Sequence, residues 1–207
     1  MAAVRIYIAG DSIIDGTGSP AGGCRTWLHD NIVRMGWFPN WQAPRATNNP
    51  AGYSFLLHDG LSGRTAATYK TQIAALMTTW FPDILILQIG TNDLNGGASV
   101  ATTTADVVAC WDAAWTSLPD LQIISWAVPS PFGSGFVVQV NNNLADEARL
   151  RRIAGKKCNF YENGNLLIAG EQADALHPNL AGYQFMGDEG ARGLNSWHQG
   201  PFKRWAR

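Results

Sequence analysis

The chain has 207 residues, which is the size of one large α/β domain and too short for two ordinary ones. Hydrophobic residues make up 46% of it, which excludes an intrinsically disordered chain. With 15 basic and 16 acidic residues the net charge is −1, so the composition gives no reason to expect binding to nucleic acid or to a membrane surface. No apolar run approaches the ~20 residues that a membrane-spanning helix needs.

Short continuous apolar runs predict buried strands, and apolar residues at helical spacing predict helices. In chain order we expect a strand at 4–9, a helix at 26–35, an irregular connection at 37–52, a strand at 53–57, a helix at 73–80 and a strand at 84–89. The second half continues with a helix at 100–118, a strand at 121–128, a helix at 137–153, a short strand at 159–162 and a helix at 180–197.

This alternation of strands and helices predicts a parallel sheet covered by helices on both faces. Residues 1–207 are expected to form one domain, with 198–207 as a loosely attached tail. The three cysteines, Cys24, Cys110 and Cys158, lack the spacing of metal ligands or of a redox pair. We interpret them as small buried hydrophobic residues. Their odd number leaves at least one free thiol and allows one disulfide.

Four loops at predicted strand ends carry polar or glycine residues, and in an open α/β sheet ligands bind beyond the carboxyl ends of the strands. Taken singly, each loop has a plainer interpretation as a helix cap, a turn or an Asx turn. The functional candidates in these loops are Ser12, Gly63, Asn92, Asp174 and His177.

Taken together, these residues supply the parts of an acyl-transfer site. Ser12 is the candidate nucleophile, His177 the general base, and Asp174 the group that orients the imidazole, because residues three apart meet within one turn. The N–H groups of Ser12 and Gly63 and the side-chain amide of Asn92 are candidate donors to a developing oxyanion. This interpretation predicts that activity falls at acidic pH, since a histidine base must be neutral to accept a proton.

These motifs resemble the four sequence blocks of the SGNH hydrolases, also called GDSL-type hydrolases. The resemblance covers residues 6 to about 190 and rests on Gly10-Asp11-Ser12-Ile13, Gly63, Gly90-Thr91-Asn92-Asp93 and Asp174-x-x-His177. It implies a three-layer α/β/α fold of the flavodoxin type with a five-stranded parallel sheet. It also implies a serine esterase that needs neither a metal nor another cofactor, with the residue roles given above.

A narrower resemblance, to the family 3 carbohydrate esterases, rests on residues around these motifs. The matching segments are residues 10–19, 22–25, 58–63 and 177–183. Because that family is similar to acetylxylan esterases, the resemblance implies an acetylated carbohydrate as substrate. It also favours a secreted protein whose leader has been removed, since the first residues lack a signal-peptide pattern.

Four residues beside the motifs are further candidates for substrate binding: Asp11, Arg25, His58 and Arg64. Cys24 and Arg64 stand where the carbohydrate esterases usually have aromatic residues. The resemblance therefore defines the sugar preference less well than it defines the residues that carry out hydrolysis. His29 lies within a predicted helix and is interpreted as a surface or core residue.

Three other functions stay open from the sequence. They are a general short-chain esterase or lysophospholipase-like hydrolase, an acyltransferase that uses the same site, and a non-catalytic carbohydrate-binding module. Residues 16–21 match part of a dinucleotide-binding pattern, but they lie too far from the strand and Pro20 interrupts the turn. The chain contains no G-x-S-x-G nucleophile elbow and no metal-binding spacing of histidines.

Overall fold

The structure, a computed structural model, describes residues 3–129, 134–164 and 169–199. In these ranges the chain forms six strands: β1 (Val4–Gly10), β2 (Pro39–Trp41), β3 (Asp59–Gly60), β4 (Ile84–Gln88), β5 (Gln122–Trp126) and β6 (Cys158–Tyr161). Its α-helices are α1 (Ser12–Asp15), α2 (Arg25–Arg34), α3 (Ala66–Tyr69), α4 (Ile73–Trp80), α5 (Thr91–Asn95), α6 (Val100–Ser117), α7 (Gly135–Ile153) and α8 (Leu180–Gln199). A 3-10 turn, Ala169–Glu171, precedes α8.

All strand pairs within this sheet are parallel, in the order β2-β1-β4-β5-β6. The two-residue strand β3 pairs with the last residues of β1, whose first residues pair with β2. Because parallel strands all end at the same edge of the sheet, the loops after β1, β3 and β4 meet there. The expected three-layer α/β/α fold with a parallel sheet is confirmed, and the two-residue strand β3 adds a sixth strand to the expected five.

Alternating side chains of the strands divide the core into two halves, one on each face of the sheet. On one face Tyr7, Leu85 and Ile123 pack with buried residues of α3, α4, α6 and α7. On the other face Ile8 and Ile86 pack with buried residues of α2 and α8. The central strand β4 is buried at every residue, and four of its five residues are apolar.

Most predicted elements are found within a few residues of their expected bounds, and two differ. The strand predicted at 53–57 is wrong: that segment is irregular, and the strand lies at Asp59–Gly60 instead. The irregular connection at 37–52 contains the short strand β2. Residues 198–199 belong to α8, and the rest of the predicted tail, 200–207, lies outside the described residues. In the described ranges no helix combines the length and the apolar content needed to cross a membrane.

Candidate active site

Ser12, His177 and Asp174 form a continuous row of hydrogen bonds at the carboxyl edge of the sheet. Ser12 Oγ lies 2.9 Å from His177 Nε2, and His177 Nδ1 lies 2.9 Å from Asp174 Oδ2. A carboxylate can only accept, so the proton of a neutral imidazole sits on Nδ1 and leaves the Nε2 lone pair facing the serine hydroxyl. This arrangement can activate the hydroxyl as a nucleophile.

Asp174 is held in position by hydrogen bonds within its own loop. Its Oδ1 accepts hydrogen bonds of 2.7 Å from the backbone N–H groups of Leu176 and His177. The hydrogen bond from the His177 ring and these two backbone bonds lower the pKa of Asp174 to about 2. The carboxylate is therefore ionised at any pH at which the imidazole can act as a base, although its side chain is 58% exposed.

Ser12 is presented by the short helix α1, which begins directly after β1. The carboxylate of Asp11 caps this helix by accepting a 3.0 Å hydrogen bond from Ile13 N–H, and Gly16 ends it with a φ of 79°. A side chain at Gly60 would place its Cβ 2.2 Å from the backbone nitrogen of Asp15, so only glycine lets α1 pack against β3. The backbone around Ser12 is thus fixed by a cap, a left-handed turn and a close contact.

Asp11 has no exposed surface, and burial raises its pKa to about 6. The hydrogen bond from Ile13 opposes this effect only in part. In this structure the Asp11 carboxylate caps α1, and its contact with substrate stays a prediction.

The candidate oxyanion donors Gly63 and Asn92 lie on a loop and on helix α5, which are joined by hydrogen bonds. The Asn92 side-chain amide donates a 3.0 Å hydrogen bond to the carbonyl oxygen of Arg64, next to Gly63. Asp93 accepts hydrogen bonds from the backbone N–H groups of Ala66 and Ala67, at 2.8 and 3.2 Å, and so caps α3 from α5. Gly63 is exposed and has a φ of 78°, a conformation that favours glycine.

A buried polar cluster lies under the loop of Gly63. Asp59 accepts hydrogen bonds of 2.9 Å from the hydroxyls of Tyr7 and Tyr69 and from the Arg64 guanidinium. The guanidinium also lies over the Tyr69 ring, 4.5 Å from its centre. Burial and the Asp59 charge raise the pKa of both tyrosines, so both hydroxyls remain donors.

Arg25, His58 and Arg64 are all buried, and their contact with substrate likewise stays a prediction. Arg25 donates to the carbonyl oxygens of Ile14 and Thr47, and burial lowers its pKa to about 10. His58 Nδ1 accepts from Gly60 N–H at 3.1 Å, and burial together with the nearby Arg25 lowers the pKa of His58 to about 4. Through these hydrogen bonds the side chains connect the backbone segments around the site.

His29 and the three cysteines lie away from the hydrogen bonds that join Ser12, His177 and Asp174. His29 is half-buried on α2 and accepts a hydrogen bond from the Trp41 indole. The three cysteines are buried free thiols, as expected, and burial raises each thiol pKa to about 12. Among the residues with described positions, His, Cys, Asp and Glu do not gather in groups of three that could hold a metal ion.

Sequence reasoning missed two residues that hold the site in place, Asp59 and Asp93. Asp93 directly follows Asn92 in the motif at the end of the apolar run 84–89. This position at the sheet edge was the signal that could have identified it. The role of Asp59 depends on tyrosines that are distant in the chain, and no local pattern indicates it.

The parallel α/β/α architecture, with polar residues gathered at the carboxyl edge of its sheet, defines the class of open α/β proteins that bind their ligands at this edge. The particular family follows from the sequence itself. Residues 8–185 match the GDSL-like lipase/acylhydrolase family, and the chain belongs to that family.

Two solved carbohydrate esterases of family 3 share the fold. The enzyme from Clostridium thermocellum is 22% identical and has a TM-score of 0.84, with 95% of this chain and 98% of that chain covered. The one from Talaromyces cellulolyticus is 20% identical and has a TM-score of 0.81, with 93% and 97% covered.

A curated relative, a multidomain esterase of Ruminococcus flavefaciens, is 26% identical over 89% of this chain. The match covers 27% of that protein, so the chain spans about a quarter of this relative's length.

Proposed function

We propose that this protein removes O-acetyl groups from carbohydrates, with Ser12 as the nucleophile, His177 as the general base and Asp174 as the residue that orients His177. The observation that carries the proposal is the pair of 2.9 Å contacts from Ser12 Oγ to His177 Nε2 and from His177 Nδ1 to Asp174. The match to the acylhydrolase family supports the same reaction class.

The reaction has two steps that share one proton carrier. His177 Nε2 takes the hydroxyl proton as Ser12 Oγ attacks the acetyl carbonyl carbon, and the same proton then passes to the departing sugar oxygen. This leaves an acetyl group on Ser12. A water molecule, deprotonated by His177, attacks that ester, and the Ser12 oxygen recovers the proton from His177 as acetic acid leaves.

The negative charge that develops on the carbonyl oxygen needs donors on one side of the nucleophile. We assign this role to the N–H groups of Ser12 and Gly63 and to the amide of Asn92. An amide has two N–H bonds, so Asn92 can donate one to Arg64 and direct the other to the oxyanion. Each such donor typically contributes ~3–4 kcal/mol to the transition state.

A polar rim beside Ser12, formed by Asp15, Thr17, Asn48 and Ser62, supports a hydroxylated leaving group. The hydroxyls of Thr17 and Ser62 lie 3.1 Å apart, and the Asn48 amide donates to the Asp15 carboxylate at 3.0 Å. Asn48 and Ser62 are exposed, and Asp15 and Thr17 are partly exposed. Donors and acceptors of this kind can exchange hydrogen bonds with sugar hydroxyls. The fold shared with family 3 carbohydrate esterases points the same way.

Acetate release from acetylated xylan, measured for the wild type, for Ser12→Ala and for the exposed-serine control Ser54→Ala, tests the proposal. We expect release by the wild type and the control, with a fall of about 10⁶ in kcat for Ser12→Ala. If the wild type hydrolyses p-nitrophenyl acetate through Ser12 but releases no acetate from the polymer, the carbohydrate substrate is wrong. If Ser12→Ala retains activity, the nucleophile is wrong.

A further inference from the structure

Four aromatic rings gather where α2 meets residues 50–55, and we call this cluster, His29, Trp41, Tyr53 and Phe55, the aromatic platform. The His29 ring lies at its centre, with ring-centre distances of 6.2 Å to Trp41, 6.3 Å to Tyr53 and 5.0 Å to Phe55. Trp41 is buried, whereas Phe55 is 49% exposed. The platform thus ends in an aromatic ring that is open to solvent.

The rings of the aromatic platform are held by the groups beneath them. The Trp41 indole donates a 3.0 Å hydrogen bond to His29 Nδ1, and burial lowers the pKa of His29, so the imidazole is uncharged at neutral pH. The Tyr53 hydroxyl donates to the Asp30 carboxylate on α2, at 2.9 Å. Because these side chains are already ordered, a ligand that binds them pays little conformational entropy.

The exposed part of the platform matches the two kinds of surface that a sugar ring presents. The C–H groups on one face of the sugar pack on an aromatic ring, whose face is electronegative, and its hydroxyls need hydrogen-bond partners. Phe55 offers the ring, and the Tyr53 ring lies beside it with a centre distance of 5.8 Å. The partly exposed Asp30 carboxylate, next to the Tyr53 hydroxyl, has lone pairs that can accept from sugar hydroxyls.

The area of the platform suits a sugar ring better than a protein partner. A fully covered aromatic side chain buries about 150–250 Å², so the partly exposed rings of Tyr53 and Phe55 present at most roughly 200 Å². A stable protein interface takes about 800 Å² from each partner, and the two rings supply only about a quarter of it.

One backbone segment connects the platform to the polar rim of the candidate active site. In the rim, the Asn48 amide donates a 3.0 Å hydrogen bond to Asp15. The Asn49 amide donates one of 3.0 Å to the carbonyl oxygen of Leu56, so the chain turns back on itself between them. Five residues of extended chain span at most about 18 Å, which bounds the separation of Asn48 and Tyr53. An oligosaccharide can bridge that separation.

We infer that the aromatic platform is a second carbohydrate-binding site, which stacks on one sugar ring of a polysaccharide while another part of the same polymer occupies the active site. The inference rests on the proposed function for the identity of the polymer, which we take to be xylan. The platform then strengthens the binding of a polymer and leaves the chemistry at Ser12 unchanged.

Binding of soluble unacetylated xylan, measured by affinity electrophoresis, tests the site apart from catalysis, because this polymer carries no ester to hydrolyse. We expect the wild type and Phe55→Tyr to be retarded alike. Phe55→Ala should bind roughly tenfold more weakly, the factor that burying about 50 Å² of apolar surface typically gives.

Phe81→Ala is the matched control, since Phe81 is 55% exposed and lies against Arg5 instead of the platform. This variant should bind xylan as the wild type does. A wild type that xylan does not retard, or equal affinities of the two alanine variants, would overturn the inference.

Kinetics separate this inference from the proposed function. On acetylated xylan, Phe55→Ala should raise KM roughly tenfold with kcat unchanged, because the lost contact is equal in the ground and transition states. Its kcat/KM for p-nitrophenyl acetate should equal that of the wild type. An equal loss on both substrates would show that Phe55 acts through the catalytic geometry, against the inference. If the wild type releases no acetate from xylan but Phe55→Ala still weakens xylan binding, the proposed substrate is wrong and the second site stands.

Sedimentation velocity distinguishes a sugar site from a contact between copies of the chain. We expect the wild type and Phe55→Ala to have the same sedimentation coefficient without sugar. A wild-type dimer that dissociates in Phe55→Ala would make the platform a protein interface and would refute the inference.

Discussion

The side-chain amide of Asn92 donates a 3.0 Å hydrogen bond to the backbone carbonyl of Arg64, and this bond joins α5, which follows β4, to the loop after β3. The helix and the loop carry the candidate oxyanion donors Asn92 and Gly63. Asp93, also on α5, accepts two further hydrogen bonds from the N–H groups at the start of α3. Donors fixed in this way need little reorganisation when charge develops on a substrate, which is the condition under which they stabilise a transition state most.

Replacing Asn92 by alanine removes both a donor and the link between α5 and the loop after β3. We expect kcat toward p-nitrophenyl acetate to fall by about 10²–10³, with a smaller change in KM, because the donor acts mainly in the transition state. Asn142→Ala, at an exposed position on α7, controls for the loss of an asparagine side chain. A fall in kcat of less than about threefold for Asn92→Ala would exclude Asn92 as an oxyanion donor.

Gly63 can be tested against a glycine with the same backbone conformation. Gly63 and Gly36 have φ values of 78° and 87°, and a Cβ at either position would meet no atom within 4 Å. Alanine should therefore cost each variant a similar free energy of unfolding, about 1 kcal/mol, through backbone strain alone. Only Gly63→Ala should also lower kcat, because its strained loop moves the candidate N–H donor. Equal kcat values for the two variants would contradict the role of Gly63.

The buried cluster around Asp59 should contribute far more to stability than an exposed ion pair. Asp59→Asn leaves the buried Arg64 guanidinium without its countercharge, and we expect a loss of about 3–5 kcal/mol in the free energy of unfolding. Asp83→Asn alters the half-exposed pair with Arg5 and should cost less than about 1 kcal/mol. Urea denaturation measures both, and comparable losses would show that the cluster is not needed to hold the loop.

The positions of Ser12 and Asn92 were predictable because each comes soon after an apolar run. Residues 84–89 show the strongest such run, and Asn92 stands three residues after its end. The same logic located Ser12 after β1.

The position of β3 could not be read locally. The aromatic and leucine residues at 53–57 have higher strand propensity than Asp59 and Gly60, which form the strand. The strand forms there because β1 offers pairing partners and because Asp59 finds Tyr7, Tyr69 and Arg64 around it. The burial of Arg25 and His58 has a similar origin, since their partners are loop carbonyls and a backbone N–H rather than charged residues with a visible spacing.

The buried carboxyl of Asp11 makes stability depend on pH. Its folded-state pKa of about 6 lies above the ~3.9 of an unfolded aspartate, so the folded protein holds the proton more tightly. This tighter binding of the proton stabilises the folded protein in full below about pH 4. The stabilisation is lost as the pH rises through 6, and it amounts to roughly 3 kcal/mol in the free energy of unfolding.

Asp11→Asn keeps an acceptor for Ile13 N–H and carries no charge at any pH. The variant should therefore gain stability relative to the wild type between pH 4 and pH 7, by roughly 3 kcal/mol over that interval. Urea denaturation of both proteins at several pH values gives this difference. A difference that does not change with pH would show that Asp11 titrates normally in the folded protein.

Direct observation of the acyl-enzyme tests the central claim, that Ser12 attacks the ester with His177 as its base. The wild type is mixed with p-nitrophenyl acetate, quenched in acid within milliseconds, digested and examined by mass spectrometry. We predict one acetyl group on the peptide that contains Ser12, and neither this mark nor hydrolysis above background in Ser12→Ala. Acetylation at another residue, or hydrolysis by Ser12→Ala at the wild-type rate, would contradict the account.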